Sequence, residues 1–482
     1  MNTEFPLGDM PVSEFKENGY KLIDWVADYL SDMESLPVLP PIQPGDIKKH
    51  IPSTPPFAAE NMEDIIPDIN KIIVPGITHW NHPNFMAYFV SSASGPGILG
   101  ELVASAINTN GMVWKSNPSS TELEETVLNW FREMIGLPKN YFGIVYDTAS
   151  VSTMHAIATA RENTGLNIRQ HGFAGQPKLR MYCSEHAHSS VDKAVITLGI
   201  GLDGLRKIPC DSNFSMIPSE LENAIEEDRQ NGWQPFCVVA TIGTTSTTSI
   251  DPVDEINKIC KKENLWLHVD SAYAGVTAML PEMKSLFKGM DEADSIVINP
   301  HKWLFVPLDF SILFISKPEV LKRAFSLVPD YLVTAEDNKA INYMDYGIQL
   351  GRRFRSLKFW FVLRYFGVEG LQARLREHIR LGQLFASWID ENTSFKRMAP
   401  VPFSVVCFRA VPNKLMSDKE LDEFNSLLMD KINSTGKIFL SHTKLNGKFV
   451  IRLVVGGIRT EEKHVRLAWE VIQKIFDEMI AV

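Results

Sequence analysis

Between residues 95 and 320, short apolar, β-branched runs alternate with stretches of helical spacing. CVVATI (237–242) precedes a helical pattern opened by Asp251-Pro252, then come WLHV (266–269) and SIVI (295–298). Apolar runs of this length fit strands covered on both faces, and their alternation with helices predicts a largely parallel sheet. Asp251 is placed to cap the helix that follows, and Pro252 suits its first turn.

The flanks read differently. Phe15, Tyr20, Ile23, Val26 and Leu30 recur at helical spacing and predict an amphipathic helix over 12–33. Seven prolines between Pro37 and Pro56 follow, which predicts an extended strap rather than a core. A helix and a strap make a poor autonomous core, so 1–94 reads as an arm lying on another surface. Residues 358–390 read as one or two amphipathic helices. FSVVCFRA, KFVIRLVV and a closing helix then predict a small α+β unit. The expected division is an arm (1–94), a large domain (95–357) and a small C-terminal domain (358–482).

Composition narrows the function. The 482 residues are 45% hydrophobic, with 48 basic and 58 acidic residues spread along the chain for a net charge of −10. No basic stripe supports nucleic-acid binding. No segment approaches a membrane span, and the first residues do not read as a secretory signal. Five scattered cysteines lack redox or metal spacing, which fits a reducing, cytoplasmic setting.

Open α/β sheets bind ligands beyond the carboxyl ends of their strands. CVVATI runs into GTTSTTS, WLHV into Asp270 and SAYAG, and SIVI into Asn299-Pro-His301-Lys302. Upstream, MYCSEHAHSSV places His186 and His188 near another strand end, and YDTASVSTMHAIATAR runs from small hydroxylated residues into a helix. Each has a plainer reading: Asp270 as a loop residue, His301 as a satisfied buried histidine, Lys302 as a lysine reaching for water. The two histidines of HAH lack an obvious third ligand, so no metal is expected. No GxGxxG or GxxxxGK[ST] supports a dinucleotide or P-loop reading.

Together these parts suit pyridoxal 5'-phosphate. That cofactor needs a lysine for an imine, an acid at its pyridine nitrogen, phosphate donors and a flat surface against its ring. Lys302 is the candidate imine lysine, Asp270 the acid and His188 the stacking ring. Ala149 and Ser150, opening a helix, and Asn299 and His301 are the candidate phosphate donors.

INPHKW, HVDSAYAG, AHSSV, ATIGTT, THWNHPNFMAYF and LGRRFRSLKFWFVLRYFGVEGLQ carry a resemblance to the group II pyridoxal-phosphate amino-acid decarboxylases, most closely those acting on aromatic L-amino acids. It covers nearly the whole chain. The resemblance implies a fold-type I enzyme with a mostly parallel seven-stranded sheet, working as a homodimer with its site at the subunit interface. It assigns Lys302, Asp270 and His188 the roles above, adds Thr245 and Ala272 to the cofactor lining, and makes Tyr331 the loop tyrosine that assists protonation. Trp80, Tyr88, Phe89, Asn110, Met112 and Gly351 match positions lining the substrate side chain. Asn110 and Met112 depart from the aliphatic and aromatic residues of animal members, and Val90 from a common proline. The implied reaction turns an aromatic L-amino acid into its arylalkylamine and carbon dioxide. Alternatives are an aldehyde synthase on the same scaffold, a decarboxylase of a non-aromatic amino acid and a catalytically silent relative.

Overall fold

β-Branched and aromatic residues fill the strands at the centre of the molecule, where both faces are covered. The structure, a computed structural model, describes residues 8–327, 339–413 and 416–481. Its large sheet contains β1 (Phe142–Tyr146), β2 (Lys178–Ser184), β3 (Leu205–Ile208), β4 (Trp233–Thr241), β5 (Trp266–Asp270), β6 (Ser295–Ile298) and β7 (Ser311–Ile315). Their order is β1-β7-β6-β5-β4-β2-β3. Neighbours from β3 through β6 pair parallel, whereas β7 pairs antiparallel with both β6 and β1. The seven strands and the mostly parallel pairing match the implied architecture. Every residue of β5, β6 and β7 is buried, as their unbroken apolar runs require.

Register sets the site. Thr241 of β4 lies beside Asp270 of β5, and Asp270 lies beside Val297 of β6. The strands therefore end together, and the segments after them leave along one edge.

A second, antiparallel sheet holds β8 (Phe395–Arg397), β9 (Val405–Ala410), β10 (Ser441–Leu445) and β11 (Lys448–Val454), in the order β10-β11-β9-β8. The closing helix Glu462–Ile480 buries Val465, Ala468, Ile472 and Phe476. The helical segment Ser356–Glu391 is broken at Gly367, whose φ of 63° and ψ of 173° leave the helical region. Two helices thus stand where one or two were expected.

The strap follows its own chain. The Val38 N–H donates to Gly436 O, the His79 N–H to Val38 O, and Glu34 pairs with Lys463. A short helix, Asp46–His50, interrupts the proline-rich run. Helix Val12–Ser31 instead leaves Val12, Phe15, Tyr20 and Ile23 exposed, as Gly95–Ile107 leaves Leu99, Leu102, Val103 and Ile107.

Asp251 corrects the expectation of a helix cap. The helix Val253–Glu263 is preceded by Pro252 and receives no side-chain cap. Asp251 turns inward instead, and its carboxylate accepts the N–H groups of Met216 and Thr241, each at 2.8 Å.

The core also holds neutral histidines. Burial pushes His82, His155, His268 and His378 down to about 4 and His301 to about 3. The unfolded chain binds protons near pH 6.5 that these rings refuse, so stability must fall as pH drops from about 6.5 toward 4, by about 1.4 kcal/mol per pH unit for each histidine. Asp251 acts the other way: burial raises it to about 6, so the folded chain keeps a proton that the unfolded chain releases lower. It offsets one histidine over part of that window. Urea unfolding at about pH 7 and pH 5 reads the sum: the midpoint is expected to be lower at pH 5, and an equal or higher one contradicts these assignments.

Candidate active site

The segments leaving five strands meet around one cavity of about 200 Å³. Thr148, Ala149 and Ser150 come from beyond β1, and His188 from beyond β2. Thr241, Gly243 and Thr245 lie at and after the end of β4, Asp270, Ala272 and Tyr273 at and after that of β5. Asn299, His301 and Lys302 follow β6, and Phe89 completes the wall. Gly243 permits one tight passage: its φ is +89°, and a Cβ there would sit 2.7 Å from the Ala274 Cβ.

Lys302 lies in the short helical turn Pro300–Trp303, and its amine is 5.1 Å from the centre of the Phe89 ring. Burial pushes its pKa down, and the negative charge of Asp270 pulls it partly back. Phe89 stacks on Tyr273 at 3.9 Å and Tyr273 on Trp303 at 4.5 Å, an aromatic stack that holds this wall rigid. Asp270 is buried, and its Oδ1 accepts the Ala272 N–H at 3.1 Å.

His188 has a defined tautomer. Its Nδ1 accepts the Ser190 N–H at 3.1 Å, so a neutral ring carries its proton on Nε2. Burial lowers its pKa, with Asp270 opposing and Lys302 reinforcing that shift. His301 follows the same logic, because Nδ1 accepts the Phe310 N–H at 2.8 Å and leaves the proton on Nε2. That Nε2 lies 3.3 Å from the Asn299 amide nitrogen, while Asn299 Oδ1 has no partner among the described residues. In either orientation of the amide, one N–H group is left over for an acceptor. Ala149 opens the helix Ala149–Asn163; the N–H groups of Val151 and Ser152 donate to Thr148 O, whereas those of Ala149 and Ser150 precede the first intrahelical bond and favour an anion.

Lys302, Asp270, His188, Thr245, Ala272, Ala149, Ser150, Asn299, His301 and Phe89 are thus brought together. Trp80 and Tyr88 do not line the cavity; they stack at 5.7 Å in an aromatic group with Phe85 and Phe439. Asn110, Met112 and Gly351 do not line it either. They cluster together: Asn110 Oδ1 accepts the Arg352 N–H at 2.9 Å, and Nδ2 lies 3.6 Å from Met112 Sδ. Tyr331 lies outside the described residues. Among those described, no group of three or more His, Cys, Asp or Glu is arranged to hold a metal ion.

Sequence reading passed over Thr148, Thr241, Gly243 and Tyr273, although all four sit beside residues it chose. It also missed Arg452 of β11. This buried guanidinium donates to Thr245 O at 2.7 Å and Ser246 O at 2.8 Å, and so ties the small sheet to the cavity wall. An arginine inside an apolar strand was the available signal.

Asp270→Asn should lower the Lys302 pKa further, because it removes the charge that opposes burial. The pH dependence of amine acylation at Lys302 in the cofactor-free protein, read by peptide mass mapping, checks this; an unchanged or raised pKa contradicts the coupling.

The description "Pyridoxal-dependent decarboxylase conserved domain" applies to residues 44–411, where that family's sequence model matches. Tyrosine decarboxylase 4 of Petroselinum crispum is 38% identical, the match covering 100% of this chain and 96% of that protein. The solved structure of Oryza sativa TDC with PLP and tryptamine superposes with a TM-score of 0.95 at 33% identity, covering 99% of this chain and 100% of the other. Rhodiola rosea 4-hydroxyphenylacetaldehyde synthase gives 0.90 at 34%, covering 97% and 99%. With its lysine, acid and anion donors gathered at the strand ends, the chain belongs to the pyridoxal-dependent decarboxylases.

Proposed function

We propose that this chain decarboxylates an aromatic L-amino acid to the corresponding arylalkylamine, using pyridoxal 5'-phosphate held in the cavity described above. The observation that carries the reading is the convergence of Lys302, Asp270 and His188 with unused N–H donors around one cavity. The residues fit the cofactor. The first turn at Ala149 and Ser150 and the surplus donor of the Asn299–His301 pair would hold the phosphate. Asp270, with one oxygen fixed by Ala272 N–H, would face the pyridine nitrogen, and His188 would lie against the ring. When bound, the cofactor supplies an electron sink for the bond that breaks at the substrate Cα.

The chain's own groups do the rest. Burial leaves a larger fraction of the Lys302 amine unprotonated than in water, which suits a nucleophile and later a proton carrier. Phe89, Tyr273 and Trp303 keep that side of the site apolar, which favours loss of an anionic carboxylate as neutral carbon dioxide. Nε2 of His188 carries a proton that can be passed toward Cα. We assign the companion proton donor to Tyr331.

The aromatic preference rests on Phe89 in the wall and on the substrates named for relatives at this level of identity. We also assign a homodimer. The exposed apolar rows on Val12–Ser31 and Gly95–Ile107 want a cover, and Asn110, Met112 and Gly351 could touch substrate only in a partner chain's site. In this organisation 1–94 is the dimerisation arm, 95–357 the cofactor domain and 358–482 the small domain. Among the described residues no helix is long and apolar enough to cross a membrane; we place the enzyme in the cytoplasm on its free cysteines.

Product analysis tests the reaction. Tyrosine, dopa, tryptophan, 5-hydroxytryptophan and phenylalanine should include the best substrate of an amino-acid panel, yielding amine and carbon dioxide in equal amounts. Stoichiometric hydrogen peroxide would instead mark an aldehyde synthase, and a preference for an acidic amino acid would overturn the aromatic assignment. Lys302→Ala should lower kcat by about 10²- to 10⁴-fold. Light scattering should give twice the 54.3 kDa chain mass; a monomer with full activity contradicts the shared site.

A further inference from the structure

Asp251 is an acid without a cation. It is 1% exposed, and no described residue forms a salt bridge with it. A carboxylate in that position is stable only if hydrogen bonds replace water. It has two, one from the end of β4 and one from the separate segment that contains Met216. Oδ2 accepts the N–H of Thr241, the last residue of β4 and part of the cavity lining. Oδ1 accepts the N–H of Met216. The Asp251 N–H closes the first connection by donating to Thr241 O at 2.9 Å.

Each connection leads to a site residue. Between Thr241 and Asp251 the chain makes a tight loop with a bridge between Ile242 and Ile250, and Thr245 is carried at its tip. Met216 closes the turn 210–216, bridging to Cys210. The ring of Phe214 in that turn meets His186 edge-on at 5.3 Å, two residues before His188. The Ser249 hydroxyl donates to Phe214 O at 2.8 Å and makes a second, neutral link between the same loop and turn.

We propose that Asp251 is a positioning residue: its two oxygens fix the 241–250 loop against the 210–216 turn, and so set where Thr245 and His188 meet the cofactor. This rests on the cofactor reading above. The shape of the interaction explains why an acid is required. Both partners are N–H donors, and only an ionised carboxylate offers an acceptor to each. An asparagine keeps one acceptor and sets an NH₂ group against the other N–H. The tendency of burial to protonate Asp251 has the same consequence, since the neutral acid also brings a donor to the clamp.

Asp251→Asn in the holoenzyme is the test. Loss of one buried charge-assisted bond predicts that cofactor release into cofactor-free buffer is about tenfold faster, with kcat lowered more than KM is raised. The visible circular dichroism of the bound ring should change, and amide exchange should quicken in 210–217 and 241–250 and not elsewhere. Parental release and dichroism overturn the proposal. So does exchange that quickens across the whole sheet, which would make Asp251 a general stability residue. Should the variant be insoluble, Ser249→Ala cuts the neutral link between the same two segments. About two- to fivefold faster release supports the proposal there, and a parental rate overturns it. A parent protein purified without cofactor absorbance would contradict the function proposed above. The confined change in exchange would still decide the clamp.

Discussion

A lysine amine enclosed beside a carboxylate is the constraint on which the site depends. Burial lowers the Lys302 pKa, and Asp270 limits how far. That balance suits the nucleophile and proton-carrier roles proposed for Lys302. It requires that both groups face one cavity from which bulk water is largely excluded. Phe89 and Tyr273 line it on the lysine side, with Trp303 stacked behind Tyr273. Breaching it would return Lys302 toward the pKa of an ordinary lysine, whatever its partners.

The sheet delivers the groups with little freedom. Thr241, Asp270 and Val297 are register neighbours, so residues one to four positions past the strands converge without long loops. Two buried charges, each satisfied largely by main-chain groups, then hold the loop that carries Thr245. Asp251 accepts N–H groups at its base, and Arg452 donates to carbonyls at its tip from the other sheet. The small sheet is thereby part of the cavity's support.

The strand ends were legible because strands buried on both faces read as unbroken apolar runs, and the residues terminating them stand out. INPHKW and HVDSAYAG therefore stand out in the sequence, and residues of both line the cavity. Asp251 was misread because a carboxylate before a proline looks like a cap. Its real partners, the N–H groups of Met216 and Thr241, carry no signature in the sequence. Arg452 escaped for the same reason, since its contacts reach some two hundred positions back to main-chain carbonyls. Asn110, Met112 and Gly351 were chosen by family position and form a cluster of their own in the single chain. Motif position does not say which copy of a chain supplies a residue. The strap's partner was equally hidden: proline content predicts extension but not the Gly436 and Lys463 contacts that hold it on its own chain.

The central claim is that Lys302, among all the lysines of this chain, is the one linked to the cofactor. Borohydride reduction of the purified protein, followed by peptide mass mapping, tests it directly. The account predicts a single pyridoxyl-phosphate mass on the peptide containing Lys302. Cofactor fixed to another lysine, or a cofactor-loaded protein with no fixed label, would contradict it.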